Sequence, residues 1–392
     1  TSGTAWRRPH GAALLDAKAH GSKLVRERLN VLGAAVVRRI RQACAAALSF
    51  ALAACTTTPS PAPLPVPVSP APRTANDDRL DVWFLDVGQG SCVYVDCPDG
   101  ARPIIIDCGT KGRSIGAGNN VDTAVTTNWI AGELHRLQLA PRIVVSHADT
   151  DHFNRIAAAV APERAPDVYL GSPYAHHEDD FRIWLDRVDE EGGALHYFAA
   201  RSAVHDHPDL RWGGAIADVL IANATGGAVD NADSVVLALS YQGVSFVFAG
   251  DAEGHTRGED RTEPLALATR RQLPRLLENR IILSASHHGA DTEGSNGLAW
   301  VQAWNESDQL YAVSFSARPT THGHPACNIV ERYHTNMAEP VDAFPLRCSR
   351  SVTRSVSRRM LSAHENGHIL IRIGAGEIAI FCEVPTPACS GS

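Results

Sequence analysis

Seven consecutive residues, Ser146-His147-Ala148-Asp149-Thr150-Asp151-His152, follow directly on the β-branched stretch Arg142-Ile143-Val144-Val145. Carboxylates crowded this closely repel one another unless a cation or hydrogen-bond donors stabilise them. A buried strand that ends in such a loop aims several polar groups at one point from a rigid edge, which side chains scattered over a surface cannot do. Imidazole nitrogen and carboxylate oxygen are the ligands that hold Zn²⁺, Mn²⁺ or Fe²⁺ and leave positions open for water. The pattern recurs along the chain. Val244 to Ala249 reads as a strand that ends in Gly250-Asp251. Ile281 to Ser284 leads to Ser286-His287-His288-Gly289, and Tyr311 to Phe315 leads to His322-Gly323-His324-Pro325. Four buried strands followed by polar loops gather those loops along one edge of a sheet sandwich, where open α/β architectures place their sites.

The 392 residues suffice for one large domain with appendages or for two domains, and a hydrophobic share of 44% can build a sizeable core. The front of the chain does not read as that core. Arg38-Arg39-Ile40-Arg41 forms a positive n-region, Ala43 to Ala54 a short apolar run, and Leu52-Ala53-Ala54-Cys55 a small-residue cleavage site ending in cysteine. This resembles a bacterial lipoprotein signal with its lipobox. The run is too short to span a bilayer. We therefore expect residues 1–36 to be an overlong extension, with initiation near Val36 or Val37. Residues 37–55 would then be the signal and Cys55 the lipidated anchor in a bacterial membrane, the protein facing the periplasm. The alternative is an Ala-rich helix of a cytosolic protein. Residues 56–78 carry proline at almost every second position from Pro59 to Pro72 and no periodic apolar face. Such a stretch is a semi-rigid, polyproline-like spacer. Residues 79–392 form the expected catalytic domain.

From Cys55 onward, 27 basic residues stand against 41 acidic ones, a formal net charge of −14. That balance excludes binding of nucleic acid by overall charge, since phosphates are gripped by clustered Lys and Arg; a local basic groove is compatible with it. Seven cysteines lie beyond Cys55, and an exported domain oxidises suitable pairs. If 91–97 and 103–108 form a hairpin around Pro98-Asp99-Gly100, Cys92 falls opposite Cys108. Cys382 and Cys389 bracket Pro385 and Pro387 and can close a small loop. Cys327 with Cys348 is a third pairing, which leaves Cys97 over. None of these spacings is that of a zinc finger.

Leu80 to Val87 reads as a strand, Gly88-Gln89-Gly90 as a tight turn, and Ile104 to Asp107 as a strand ending in Cys108-Gly109-Thr110. Asp86-Val87-Gly88-Gln89-Gly90, then Ile105-Ile106-Asp107-Cys108-Gly109, then Ser146 to His152 together resemble the metallo-β-lactamase superfamily. Within it they resemble the hydrolase domain of the ComEC/Rec2 competence proteins, over about residues 79–382. The resemblance implies an α/β fold, an αββα sandwich of two mixed β-sheets face to face with helices outside. Amphipathic stretches over roughly 121–137, 153–160, 179–190, 263–277 and 295–304 supply those helices. A last pair, Ile369 to Ile373 and Ile378 to Glu383, is expected to close the second sheet as a hairpin.

The resemblance also implies the ligand set: His147, Asp149, Asp151, His152, Asp251 and His288, with His287 as the alternative to His288, around two divalent ions, Zn²⁺ or Mn²⁺. His147 and Asp149 would hold one ion, Asp151 and His152 the other, and Asp251 would bridge. The superfamily pattern has a second histidine where Asp149 stands, and an oxygen ligand there shifts preference toward harder ions. No middle-histidine motif stands between His152 and Asp251; His176, His177, His196, His205 and His207 read as surface or loop residues. Water between such ions attacks as hydroxide. Asp151 would also orient it, and His324 would donate a proton to the leaving oxygen or hold a phosphate. Asp86, Gln89 and Asp107 read as supports behind the loops, and Asn231 and Ser234 as residues of the turn before a strand or as substrate contacts. The expected substrate is a phosphodiester, with single-stranded DNA the candidate. The alternatives are another ester, lactone or thioester, or a lipid-anchored binding protein without catalysis.

Overall fold

The computed structural model describes residues 78–392 apart from 112–122, 199–203, 208–209, 225–230, 254–261, 293, 307, 317–321 and 390–392. The expected extension and signal, and the spacer up to residue 77, lie outside the described residues.

Period-two alternation of apolar side chains builds the first sheet and decides what covers each face. Its strands are β1 (Leu80–Phe84), β2 (Cys92–Asp96), β3 (Ile104–Cys108), β4 (Arg142–Val145), β5 (Asp167–Leu170) and β6 (Ala194–Tyr197), with β15 (Ile369–Gly374) and β16 (Glu377–Cys382) added at one edge. Leu80, Val82, Phe84, Ile104, Ile106 and Val144 point into the core shared with the second sheet. Their neighbours Trp83, Ile105, Ile143 and Val145 point the other way, onto Trp129, Leu134, Trp184 and Leu185 of the helices Thr123–Leu137 and Asp179–Glu190. Each such fully buried aliphatic or aromatic side chain contributes about 1.5–3 kcal/mol over remaining exposed.

The second sheet contains β7 (Ile216–Ile221), β8 (Val236–Tyr241), β9 (Val244–Phe248), β10 (Arg280–Ser284), β11 (Leu310–Phe315) and β14 (Met360–Ser362), in the order β14-β11-β10-β9-β8-β7. Every residue of β8, β9 and β11 is buried, so both faces of this sheet are covered. Phe84 of the first sheet meets Phe248 of the second with ring centroids 6.2 Å apart. Both sheets are mixed. β3 to β6 run parallel, as do β9, β10, β11 and β14, while the remaining pairs are antiparallel. The architecture is the expected αββα sandwich.

The C-terminal hairpin corrects one expectation: β15 and β16 join the first sheet rather than closing the second. β15 lies antiparallel to β1 with Ile369, Ile371 and Ile373 opposite Phe84, Val82 and Leu80. All six side chains enter the core between the sheets, and on the other face Arg372 clamps Asp81 through two hydrogen bonds of 2.8 and 2.9 Å. A one-residue slip would turn the isoleucines outward and break that clamp. The expected helix over 153–160 divides into Thr150–Phe153 and Ile156–Ala159, and that over 263–277 into Thr262–Arg270 and Pro274–Glu278, where proline cannot continue a helix. Two further features were not anticipated, the helix Cys327–Asn336 and a separate two-stranded sheet of β12 (Pro340–Cys348) and β13 (Val352–Arg358). The disulfides are Cys92–Cys108, Cys327–Cys348 and Cys382–Cys389, as expected, and Cys97 is buried outside them. No described helix is long and apolar enough to cross a membrane.

Candidate metal centre

The tips of β4, β9 and β10 bring the polar loops together from both sheets. Past β4 the chain turns through Ser146 and His147 into the one-turn helix Thr150–Phe153, which carries Asp151 and His152. Asp251 follows β9 through Gly250. After β10, His287 and His288 both adopt left-handed backbone, at φ 47° and 56°. Two successive non-glycine residues there store strain of the kind found at functional sites, and Gly289 at φ 85° completes the reversal. The loops touch through backbone: Val235 N donates to Ser146 O at 3.0 Å and His287 N to Gly250 O at 3.0 Å.

Two adjacent groups can each hold a metal ion, His147 with His152 and Asp251, and Asp151 with His152 and His288. His152 Nε2 lies 3.0 Å from Asp251 Oδ1, His288 Nε2 3.4 Å from Asp151 Oδ2 and 3.6 Å from Asp251 Oδ1, and His147 Nε2 3.9 Å from Asp251 Oδ2. All five side chains are at most 2% exposed. The Nε2 atoms of His147, His152 and His288 and both carboxylate oxygens of Asp151 and Asp251 make no hydrogen bond. Buried polar atoms left this way are costly, and a cluster of them facing one another is the arrangement that cations satisfy. The donor set, imidazole nitrogen and carboxylate oxygen, fits divalent ions.

The imidazoles are held from behind, each through Nδ1. His147 Nδ1 lies 3.0 Å from Ser146 Oγ, which lies 2.9 Å from Asp107 Oδ2. The same carboxylate oxygen is 2.8 Å from His152 Nδ1, and Asp107 Oδ1 accepts from Ser146 N at 2.7 Å. His288 Nδ1 lies 2.9 Å from Ser316 Oγ. With protons on Nδ1, every Nε2 lone pair faces the cluster. Ser234 Oγ accepts from Asp251 N at 3.1 Å and so supports the ligand loop, while Asn231 donates to Glu253 Oε1 at 3.1 Å. Asp86 Oδ1 accepts from Gly88 N at 3.0 Å, and Gln89 O accepts from Lys111 N at 2.6 Å.

Asp149 and His287 stand outside both triads but beside them. The Asp149 carboxylate is a third exposed, 4.0 Å from His147 Nε2 and 3.3 Å from Lys111 Nζ. Lys111 Nζ also lies 3.1 Å from Asp151 Oδ1. His287 Nε2 is 3.6 Å from Asp251 Oδ2, with Nδ1 3.6 Å from Glu253 Oε1. His324 packs on His287 with ring centroids 5.8 Å apart.

Charges in the cluster balance one another. Burial alone would lower His152, but the carboxylates of Asp251 and Asp107 outweigh it and hold the imidazole well above its ordinary range. Burial would raise Asp151 and Asp251, yet neighbouring imidazoles hold both below the usual carboxylate range, His288 and His152 acting on Asp151 and His152 and His288 on Asp251. His147 is lowered by burial and by His152. Burial opposes the charge on Lys111 as well, and Asp151 and Asp149 more than offset it.

Ser146, Ser316, Lys111 and Glu253 had been given no role from the sequence, and the signal for Ser146 was its place between the strand and the first ligand. The sequence reads His177 as a surface or loop residue; it does lie in a loop, just after the turn Tyr174–His176, but it is buried against Phe153 and Phe181, with ring centroids 5.0 and 5.3 Å away. Burial, the largest cause, brings its imidazole down to about 4. The unfolded chain binds that proton more tightly, so this group's contribution to stability is fully present above about pH 6.5 and is lost as pH falls toward about 4. The metal-free protein should lose about 3 kcal/mol across that window from His177. Thermal unfolding of the His177→Phe variant should show a correspondingly flatter acid limb, and an unchanged limb would refute the assignment.

Close approach of loops also places the ligands. A Cβ on Gly109 would lie 2.4 Å from Asp151 C and 2.5 Å from Thr150 O and His152 N, all backbone atoms of the ligand turn. Gly109→Ala should displace that turn, cost about 1–3 kcal/mol by overpacking and lower metal affinity at least about tenfold. Isothermal titration with Mn²⁺ beside a melting curve checks both.

The sandwich and the paired triads define a metallo-hydrolase-like fold with a two-metal site, consistent with the metallo-β-lactamase superfamily in general. No family model matches the sequence, and no curated protein matches it. Among solved structures the chain is similar to unliganded yeast PDE1, with 11% identity, 65% of this chain and 93% of that chain covered, and a TM-score of 0.39. It is also similar to CmlA, a diiron β-hydroxylase from Streptomyces venezuelae, at 11% identity over 74% of this chain and 55% of that one, with a TM-score of 0.38. A mutant of CmlA β-hydroxylase matches at 10% identity over 60% of this chain and 39% of that one, with a TM-score of 0.32. The chain thus spans about half or less of the CmlA chains it matches. Nothing about chemistry follows from likenesses at these scores.

Proposed function

We propose that the protein is a metal-dependent phosphodiesterase, acting as a nuclease, with two divalent ions, Zn²⁺ or Mn²⁺. The observation that carries the hydrolytic reading is the pair of adjacent triads sharing His152, all of whose inward atoms are buried without hydrogen bonds. The preference for a diester rests on the resemblance of the motifs around Asp86, Asp107 and His147 to the competence-protein hydrolase domain. Bound there, divalent ions supply Lewis acidity and bring the pKa of water toward neutrality.

The chain's own groups then have distinct tasks. Asp107, Ser146 and Ser316 orient the imidazoles. Asp151, buried beside His288, is placed to orient the attacking water as well as to ligate. Lys111, half-exposed at the mouth, can take up the charge of a non-bridging diester oxygen as it now does that of Asp149. Burial lowers His324 to about 4, so the ring is neutral at pH 7 and suits holding a phosphate oxygen through an N–H better than delivering a proton.

Purified protein with Mn²⁺ should cleave bis(p-nitrophenyl) phosphate and single-stranded DNA, and Asp151→Ala should reduce both by about 100-fold or more. Turnover of a lactone or of nitrocefin without diester turnover would support the alternative ester chemistry. No turnover despite stoichiometric metal would support a binding protein. Export with a lipid anchor at Cys55 remains part of the proposal; three disulfides in the domain support an oxidising compartment. Loss of membrane association in Cys55→Ser tests it.

A further inference from the structure

The hairpin of β12 and β13 departs in charge from the rest of the chain. Residues 340–358 hold Arg347, Arg350, Arg354 and Arg358 against the single acid Asp342, within a chain that is acidic from Cys55 onward. Arg358 is engaged with the backbone, its Nε donating to Met337 O at 2.6 Å. Arg347, Arg350 and Arg354 are exposed. Thr353 lies directly opposite Arg347 and shares that face with Ser355, both exposed hydroxyl donors, whereas Arg354 lies opposite Leu346 on the other face. Among the described residues no carboxylate pairs with Arg347 or Arg354.

The hairpin is rigidly seated and its tip adjoins the metal centre. Phe344, Leu346 and Val356 are buried in the main core, and Cys348 is bonded to Cys327 at the start of the helix that follows the His322 to Pro325 loop. Ser349 N donates to Pro325 O at 2.8 Å. A Cβ on Gly323 would lie 3.7 Å from Ser349 Cα and 3.9 Å from Arg350 Cγ. His324, the next residue, packs on His287, whose Nε2 is 3.6 Å from Asp251. One loop therefore separates the Arg350 turn at the hairpin's tip from the cluster.

We propose that this hairpin is a docking surface for the phosphate backbone of a single-stranded nucleic acid, holding the strand beside the metal centre. The inference rests on the phosphodiesterase reading. Arginine and hydroxyl donors in this mixture contact phosphates without reading bases. A single strand is favoured over a duplex because the triads are buried, so a diester must leave the duplex surface to reach them.

The test is binding of a fluorescently labelled oligothymidylate to the full chain in EDTA, followed by anisotropy against salt. The wild type should bind with affinity that falls steeply with salt. Arg347→Glu with Arg350→Glu should weaken binding at least about tenfold and lower the log–log salt slope by about 1.4, given about 0.7 per contact on single strands. Arg347→Lys with Arg350→Lys should retain most of the affinity, which separates lost charge from misfolding. The ratio of oligonucleotide to bis(p-nitrophenyl) phosphate turnover should fall about tenfold in the glutamate variant. Equal affinity of wild type and glutamate variant would overturn the inference. So would an absence of oligonucleotide binding, including the case in which the wild type instead binds vesicles containing phosphatidylglycerol through the same arginines. Because binding is read without metal, failure of diester turnover alone would strike the phosphodiesterase reading and not this surface.

Discussion

Asp251→Ala is expected to abolish turnover, by roughly a thousand-fold or more, and to remove at least one of two bound ions. Asp251 is the one carboxylate of the triad it forms with His147 and His152, and it also faces His288 at 3.6 Å. Its removal leaves the His147 and His152 imidazoles with no carboxylate ligand in their own triad, and preorganised electrostatic groups in such sites act on the scale of 10²–10³-fold each. The effect should exceed that of any peripheral change because Asp251 is the sole carboxylate of its triad and also faces His288 of the neighbouring one. Metal content by mass spectrometry and single-turnover kinetics measure it together. A variant that kept two ions and wild-type turnover would remove Asp251 from the centre. His152, held high in the metal-free protein by Asp251 and Asp107, should titrate lower in the variant, which NMR of the imidazole can follow.

The second large effect is expected at a residue that touches no ion. Asp107 accepts three hydrogen bonds, from Ser146 N, Ser146 Oγ and His152 Nδ1, and is 2% exposed. Through Ser146 Oγ it also sets the ring of His147. Asp107→Ala leaves a buried backbone N–H and a buried hydroxyl without their acceptor, at about 1–3 kcal/mol each, and frees both imidazoles to rotate. Metal affinity should fall about 10- to 100-fold. Because the ligands themselves remain, saturating Mn²⁺ should restore most of the turnover, whereas it should not rescue Asp251→Ala. Isothermal titration and activity against metal concentration distinguish the two variants, and failure of excess metal to rescue Asp107→Ala would show that Asp107 does more than orient.

Much of the site was legible in the chain because its ligands sit at strand ends. A strand followed at once by His147, Asp151 and His152, or by Asp251, is recognisable within ten residues, since period-two burial and the polar tip are both local. The Cys92–Cys108 pairing was legible for the same reason: an antiparallel hairpin has positions that sum to a constant. His288 and His287 were harder to separate. Both face Asp251, and only the left-handed backbone at each position decides that His288 completes a triad while His287 turns toward Glu253. Lys111, three residues beyond Cys108, carried no signal; its ion pairs with Asp149 and Asp151 span 38 and 40 positions.

By itself the sequence determined the strands, the kinds of ligand at their tips, the short-range hairpin and the alternation that makes a sandwich, because backbone geometry sets these over a few residues. The tertiary structure alone decided that β15 lies against β1, that His177 is buried, that Ser316 holds His288 and that the arginine hairpin stands beside the centre. Each of these depends on which apolar faces close on each other across many tens to hundreds of residues. Many pairings would bury similar area, and the winner is the one in which register, ion pairs and loop contacts are satisfied together.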